Sequence, residues 1–251
     1  MFRILILSVL MLLFVGQAYS KTLTAEPPEQ PTEEVKEQVT LMHKHTAECE
    51  KTTAEPVQIV CILDRSGSMS NLTADTIGGY NSFIEQQRTK AGMAEVTTVL
   101  FDDKYEKISE AVNLADVPEL TSAQYYARGT TALLDAVGRT ITETLSRMES
   151  EKICPAKRSV LIMIMTDGYE NASKEFTKAK VKALVEGTTK EYKWNYIFIG
   201  ANIDSAAEAG GIGINRRHAV NYAPTSRGVR DSFDVMNEAA DEVRSTGTLN
   251  K

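Results

Sequence analysis

The chain of 251 residues reads as an α/β protein: a doubly wound, mostly parallel six-stranded sheet with helices on both faces and one antiparallel edge strand. Three observations predict this class. Short runs that are apolar throughout, VQIVCIL (57–63) and SVLIMIM (159–165) above all, suit strands covered by helices on each side. They alternate with longer segments of helical periodicity, as crossover helices of a parallel sheet require. The runs VTTVLF (96–101) and KYEKIS (104–109) are separated only by Asp102-Asp103. That gap is too short for a helical crossover, so this pair predicts a hairpin.

The N-terminus comes first in order. Arg3 precedes an apolar stretch from Ile4 to Gly16, and Ala18 and Ser20 stand at the −3 and −1 positions of a cleavage site before Lys21. This is the pattern of a secretory signal peptide over residues 1–20, and it predicts a secreted or extracytoplasmic protein, in a periplasm or on a cell surface. The apolar stretch is short of the roughly 20 residues of a membrane span, and an uncleaved N-terminal anchor is the alternative. Residues 21–55 carry Pro27, Pro28 and Pro31 with many Glu and Thr, which predicts a flexible spacer. His43, His45 and Cys49 within it match no standard zinc spacing. Cys61 lies in an apolar strand and reads as a small buried hydrophobe, while Cys49 and Cys154 are able to pair in an oxidising compartment.

The folded domain is expected over residues 56–245, followed by a disordered tail, 246–251. Strands are predicted at 57–63, 96–101, 104–109, 159–165 and 196–200, with a further strand or loop near 218–222. Helical periodicity covers 74–91, 132–149 and 174–186. In the second of these, Leu133, Val137, Ile141, Leu145 and Met148 form one apolar stripe. A terminal helix carries the seam Val229, Phe233, Met236, Ala240 and Val243, with Thr225 or Ser226 as its cap. The net charge of −6 without a Lys/Arg cluster argues against a nucleic-acid partner.

The chemistry gathers at strand ends. The first strand runs into Asp64-Arg-Ser66-Gly-Ser68, and in a doubly wound sheet ligands bind beyond the carboxyl ends of the strands. SVLIMIM runs directly into Thr166-Asp167-Gly168, and ARGTTALLDA places a threonine hydroxyl just ahead of a helix. Oxygen-only donors of this kind suit a hard cation such as Mg²⁺ or Mn²⁺. Each piece also has a structural reading: Asp64, Ser66 or Thr131 as a helix cap, Asp167-Gly168 as a turn.

DRSGS, then GTT before a helix, then an apolar strand ending in TDG, resembles the metal-ion-dependent adhesion site of von Willebrand factor A (vWA) domains, and more the stand-alone bacterial members than integrin inserts. The resemblance implies the metal ligands Asp64, Ser66, Ser68, Thr131 and Asp167, with Thr131 preferred over Thr130 because it follows Gly129 as G-x-T. It implies a Mg²⁺ or Mn²⁺ ion with an open position for a partner's Glu or Asp, and a non-catalytic protein-binding module in adhesion or envelope assembly. The alternative within the family is an adaptor subunit of a protein machine. The resemblance also implies that a shift of the terminal helix alters affinity at the metal. An enzymatic reading is disfavoured: Ser66 stands where a D-x-D phosphatase needs a second carboxylate, and His218 is the one histidine of the domain. Two glycosylation tripeptides, Asn71-Leu-Thr73 and Asn171-Ala-Ser173, flank the same loops.

Overall fold

A computed structural model describes residues 55–250. The expected signal peptide, all of the expected spacer but Glu55, and His43, His45, Cys49 and Lys251 lie outside the described residues. Six strands form one sheet: β1 (Val57–Asp64), β2 (Ala94–Phe101), β3 (Tyr105–Asn113), β4 (Val160–Thr166), β5 (Asn195–Gly200) and β6 (Ala219–Asn221). Their order is β3-β2-β1-β4-β5-β6, parallel except for β3. The doubly wound class and its antiparallel edge strand are therefore as the sequence predicts. The β2–β3 hairpin turns at Asp102 to Lys104, bringing Phe101 opposite Tyr105. Its register slips around Thr98, where Ala111 takes a φ of 46° and donates its N–H to Thr97 Oγ1 at 2.9 Å. A bulge of this kind roughens an edge strand and opposes pairing with another sheet.

Side chains alternate across the sheet and split the core in two. Ile59, Cys61 and Leu63 pack with α1 (Thr73–Arg88) and α5 (Ser226–Thr246) on one face. Val60 and Ile62 pack with α2 (Leu133–Ser150) and α3 (Lys178–Tyr192) on the other, joined by the short α4 (Ser205–Gly211). The predicted α5 seam is buried along its whole length, from Val229 to Val243. Of the two candidate caps, Thr225 does the work: its Oγ1 accepts from Gly228 N at 3.1 Å. Gly79 lets α1 approach α5, since a Cβ there would stand 2.2 Å from Phe233 Cδ2.

Three features differ from the sequence reading. The third helix starts at Lys178 rather than 174, because the amides of Lys174, Glu175 and Phe176 are taken by the Asp135 carboxylate at 2.7, 2.9 and 2.8 Å. Thr177 then caps the helix, which runs to Tyr192. The expected disordered tail from 246 onward is ordered as far as Asn250: Asn195 Oδ1 accepts from Leu249 N at 2.8 Å, and Asn195 Nδ2 donates to Gly247 O at 3.2 Å. Leu249 also packs on the core, which gives these residues a reason to dock. Helix α4 escaped periodicity because its seven residues, Ala, Gly and Ser apart from Glu208, carry no apolar stripe.

Cys61 is free and buried, and burial pushes its thiol up to about 12, so it behaves as the small hydrophobe expected. Cys154 is disulfide-bonded. Cys49, the partner the sequence suggests, lies outside the described residues.

Candidate functional site

Strands β1 and β4 are parallel neighbours, with Leu63 opposite Met165, so their carboxyl ends open side by side. That register places Asp64 beside Thr166, and Thr166 Oγ1 donates to Asp64 Oδ2 at 2.6 Å. The other carboxylate oxygen of Asp64 accepts from Ser66 N at 2.6 Å, which folds the loop back on itself. Tyr125 OH donates to the Asp64 carbonyl and braces the turn from below. Ser66 Oγ then stands 3.1 Å from Ser68 Oγ, and Ser68 Oγ donates to Asp167 Oδ1. Thr131 completes the group. Its hydroxyl and that of Ser68 both lie 3.8 Å from the point where a Cβ on Gly168 would sit, so the bare glycine leaves the gap between them free. The structure thus brings all five sequence-selected residues, Asp64, Ser66, Ser68, Thr131 and Asp167, to one end of the sheet.

The alternative roles as caps do not hold for the two hydroxyl residues. Ser66 makes no side-chain capping bond to the 3-10 turn Gly67–Leu72, and the cap position of α2 is Ala132, also without one. The first amides of α2 are satisfied from elsewhere: Leu134 N donates to Glu170 Oε2 at 2.8 Å and Asp135 N to Ser173 Oγ at 3.0 Å. Asn171 Oδ1 accepts from Thr131 N at 2.9 Å, while Asn171 N and Ala172 N donate to Thr131 O. The loop after β4 is thus strapped to the start of α2, and the Thr131 hydroxyl is left out of that strapping.

The electrostatics suit a cation. Asp64, Ser66, Thr131 and Asp167 are each less than 5% exposed, whereas Ser68 is open to solvent. Burial pushes the Asp64 carboxyl up to about 6, against hydrogen bonds from Thr166 and Ser66, and the nearby Asp167 adds to the rise. Burial also raises Asp167, against the Ser68 hydrogen bond. Two carboxyls sharing a buried site resist ionisation together, and a positive charge between them reverses that resistance. The donor set is oxygen throughout, as a hard cation prefers. Among the described residues no group of three or more His, Cys, Asp or Glu is placed to hold a metal, so hydroxyls have to complete any coordination here.

Sequence reasoning missed the framework around the site. Arg65, inside DRSGS, is wholly buried and forks three ways: Nε to Asp102 Oδ2 at 2.9 Å, Nη1 to Gln124 O at 2.9 Å, and Nη2 to Glu106. Arg128 Nε reaches the same Asp102 oxygen at 2.7 Å, and Lys104 N donates to Asp102 Oδ1 at 2.8 Å. Backbone bonds from Arg128 N to Arg65 O (2.9 Å) and Gly67 N to Gly129 O (3.2 Å) zip the segment before Thr131 onto the DRSGS loop. Gly129 holds that zipper at φ 63°, and a Cβ there would fall 2.1 Å from Asp103 Oδ1. Gly129→Ala is therefore expected to cost roughly 1–2 kcal/mol from the left-handed backbone alone, more with the clash, as read by urea unfolding.

The Asp102 carboxyl reports on this framework. Burial alone would raise it, but donors from Arg128, the Lys104 amide and Arg65 outweigh burial and hold it below the usual carboxylate range. A depressed folded value contributes stability that is present above the unfolded value of about 3.9 and lost as pH falls through the folded one. The stability gap between the wild-type chain and Asp102→Asn is therefore expected to be full at pH 5 and to shrink below pH 4. Thermal unfolding at a series of pH values reads this, and a gap independent of pH would contradict it.

The model of the family described as "VWA domain containing CoxE-like protein" matches residues 37–192, well over half the chain, and the chain belongs to that family. Solved structures agree on the fold. The vWF domain of the type V pili tip protein Mfa5 from Porphyromonas gingivalis superposes with a TM-score of 0.54 at 11% identity, over 79% of this chain and 99% of that one. The pilus adhesin SpaC from Lactobacillus rhamnosus GG gives 0.58 at 10%, over 78% of this chain and 31% of that one. Proximal thread matrix protein 1 from the mussel byssus, in a structure "with zinc occupied MIDAS motif", gives 0.51 at 12%, over 76% and 50%. The chain spans about half the length of the mussel protein, and identities this low show the fold alone. A search of curated proteins finds no match.

Proposed function

We propose that this chain is a non-catalytic, divalent-cation-dependent protein-binding module, acting outside the cytoplasm. Asp64, Ser66, Ser68, Thr131 and Asp167 hold Mg²⁺ or Mn²⁺, and a Glu or Asp of a protein partner takes the open position. The observation that carries the reading is the chain of contacts joining Asp64, Ser66, Ser68 and Asp167, with the Ser68 and Thr131 hydroxyls both beside Gly168 and no helix-capping bond made by Ser66 or Thr131. Asp64 has both carboxylate oxygens engaged by Ser66 N and Thr166, so it orients the site and contributes charge, while the Ser68 and Thr131 hydroxyls border the gap and Asp167 bonds to Ser68. When bound, the ion supplies a Lewis-acidic position for a partner carboxylate, worth more as neighbouring loops exclude water. A zinc-occupied site of this kind in the mussel protein and the adhesin role named for the pilus protein are consistent with it. The disulfide at Cys154 fits an oxidising compartment.

A second reading, the adaptor subunit of a protein machine, draws support from the CoxE-like family. Both use the same metal contact and differ in the partner. A pull-down from native envelope in Mg²⁺ against chelator, with Asp64→Ala alongside, tests the shared claim. Partners are expected in Mg²⁺ with the wild-type chain only, and partners unaffected by both changes would count against a metal-mediated contact. Catalysis is not proposed, because the Ser66 and Ser68 hydroxyls bond to each other and to Asp167 rather than to a histidine.

A further inference from the structure

Among the described residues, three large hydrophobic side chains are exposed: Met93, Tyr126 and Tyr169, at 63%, 43% and 55%. Met93 lies at the opposite end of the sheet, where its carbonyl accepts from Val57 N at the start of β1. The two tyrosines both stand on loops of the candidate site. Tyr169 is two residues past Asp167, beyond the Gly168 gap. Tyr126 precedes the 128–129 segment that is zipped onto DRSGS.

Tyr126 is held in place, not merely exposed. Its hydroxyl accepts from Arg128 Nη1 at 2.6 Å, and the guanidinium carbons of Arg128 and Arg65 lie 5.0 and 5.5 Å from its ring centroid. Arg65 is itself immobilised by three partners. A ring presented to solvent but already fixed has little entropy left to lose on binding. The charges beside it also cancel, since Arg65 and Arg128 face Asp102 and Glu106. With these four charges paired among themselves, the fixed aromatic surface is the feature that this part of the rim offers a partner.

We infer that Tyr126 and Tyr169 are specificity-determining residues for the partner, which presents its metal-binding carboxylate between apolar side chains that pack on the two rings. This rests on the metal-dependent reading above, and the test separates the two. A peptide library with a central fixed Glu and random flanks is displayed against the full chain in Mg²⁺, and metal binding is measured separately by calorimetry. The expected result is Mg²⁺-dependent enrichment of apolar residues next to the Glu. Tyr126→Ala with Tyr169→Ala should weaken a selected peptide by about thirtyfold, as hot-spot aromatics do, with Mg²⁺ affinity unchanged. Tyr169→Ala alone, which breaks none of the framework bonds, should show a clear part of that loss and guards against misfolding of the double variant. Enrichment without apolar flanks, no enrichment, or equal affinity in the variants would overturn the inference while leaving the metal reading standing. Absence of Mg²⁺ uptake by the wild-type chain would overturn both.

Discussion

Replacing Arg65 by alanine is expected to cost about 3–5 kcal/mol of folding stability, the range measured when one partner of a buried ion pair is removed. Arg65 and Asp102 are both fully buried, so the loss is not softened by water. The change removes bonds to Asp102, Gln124 and Glu106 at once, and it also empties the space of the arginine stem. For a domain of this size each kcal/mol lowers Tm by roughly 2–4 °C, so a fall on the order of 10 °C is expected. Lysine should not restore the stability, because a single ammonium cannot fork to three acceptors on separate segments. Differential scanning calorimetry of both variants checks this. A loss below about 1 kcal/mol, the typical worth of an exposed pair, would mean that the cluster does not hold the loop.

The second large effect concerns the metal. Asp167→Ala is expected to abolish stabilisation by Mg²⁺ while leaving the metal-free chain at least as stable as wild type. In the wild-type chain, a cation at about 100 times its dissociation constant adds roughly 2.7 kcal/mol through preferential binding to the folded state. The variant lacks an acid that burial already disfavours in its charged form, so removing it costs little without metal. Thermal unfolding with and without Mg²⁺ separates the two terms. A variant destabilised without metal but still responsive to Mg²⁺ would assign Asp167 a structural role.

The fold was legible because its signals are local. Strands such as VLIMIM are apolar on both faces, and the α5 seam repeats at helical spacing, so neither needs knowledge of distant partners. The five candidate site residues stand out for the same reason, three of them lying within one short loop and the others at the ends of recognisable elements. What surrounds them does not. Arg65 meets Asp102, Glu106 and Gln124 from 37 to 59 residues away, and a charged residue in a loop reads by default as solvated. Thr166 and Tyr125 support Asp64 from 102 and 61 residues away; Thr166 stands inside the TDG motif, but local spacing does not reveal its bond to Asp64 or that of Tyr125. Glu170 and Asp135 exchange caps between a loop and a helix that the sequence treats as separate, which also shifted the predicted start of α3. Among the short elements, α4 is too brief for a period to register, whereas β6 falls within the strand or loop expected near 218–222.

The central claim, that five oxygen-bearing side chains at the carboxyl end of β1 and β4 hold one divalent cation, is most directly tested by anomalous diffraction from crystals of the chain soaked in Mn²⁺. One strong anomalous peak is expected beside Gly168, within bonding distance of the Ser66 and Ser68 hydroxyls and lost in Asp167→Ala crystals. A wild-type crystal with no peak there, or with manganese bound only at other residues, would contradict the account.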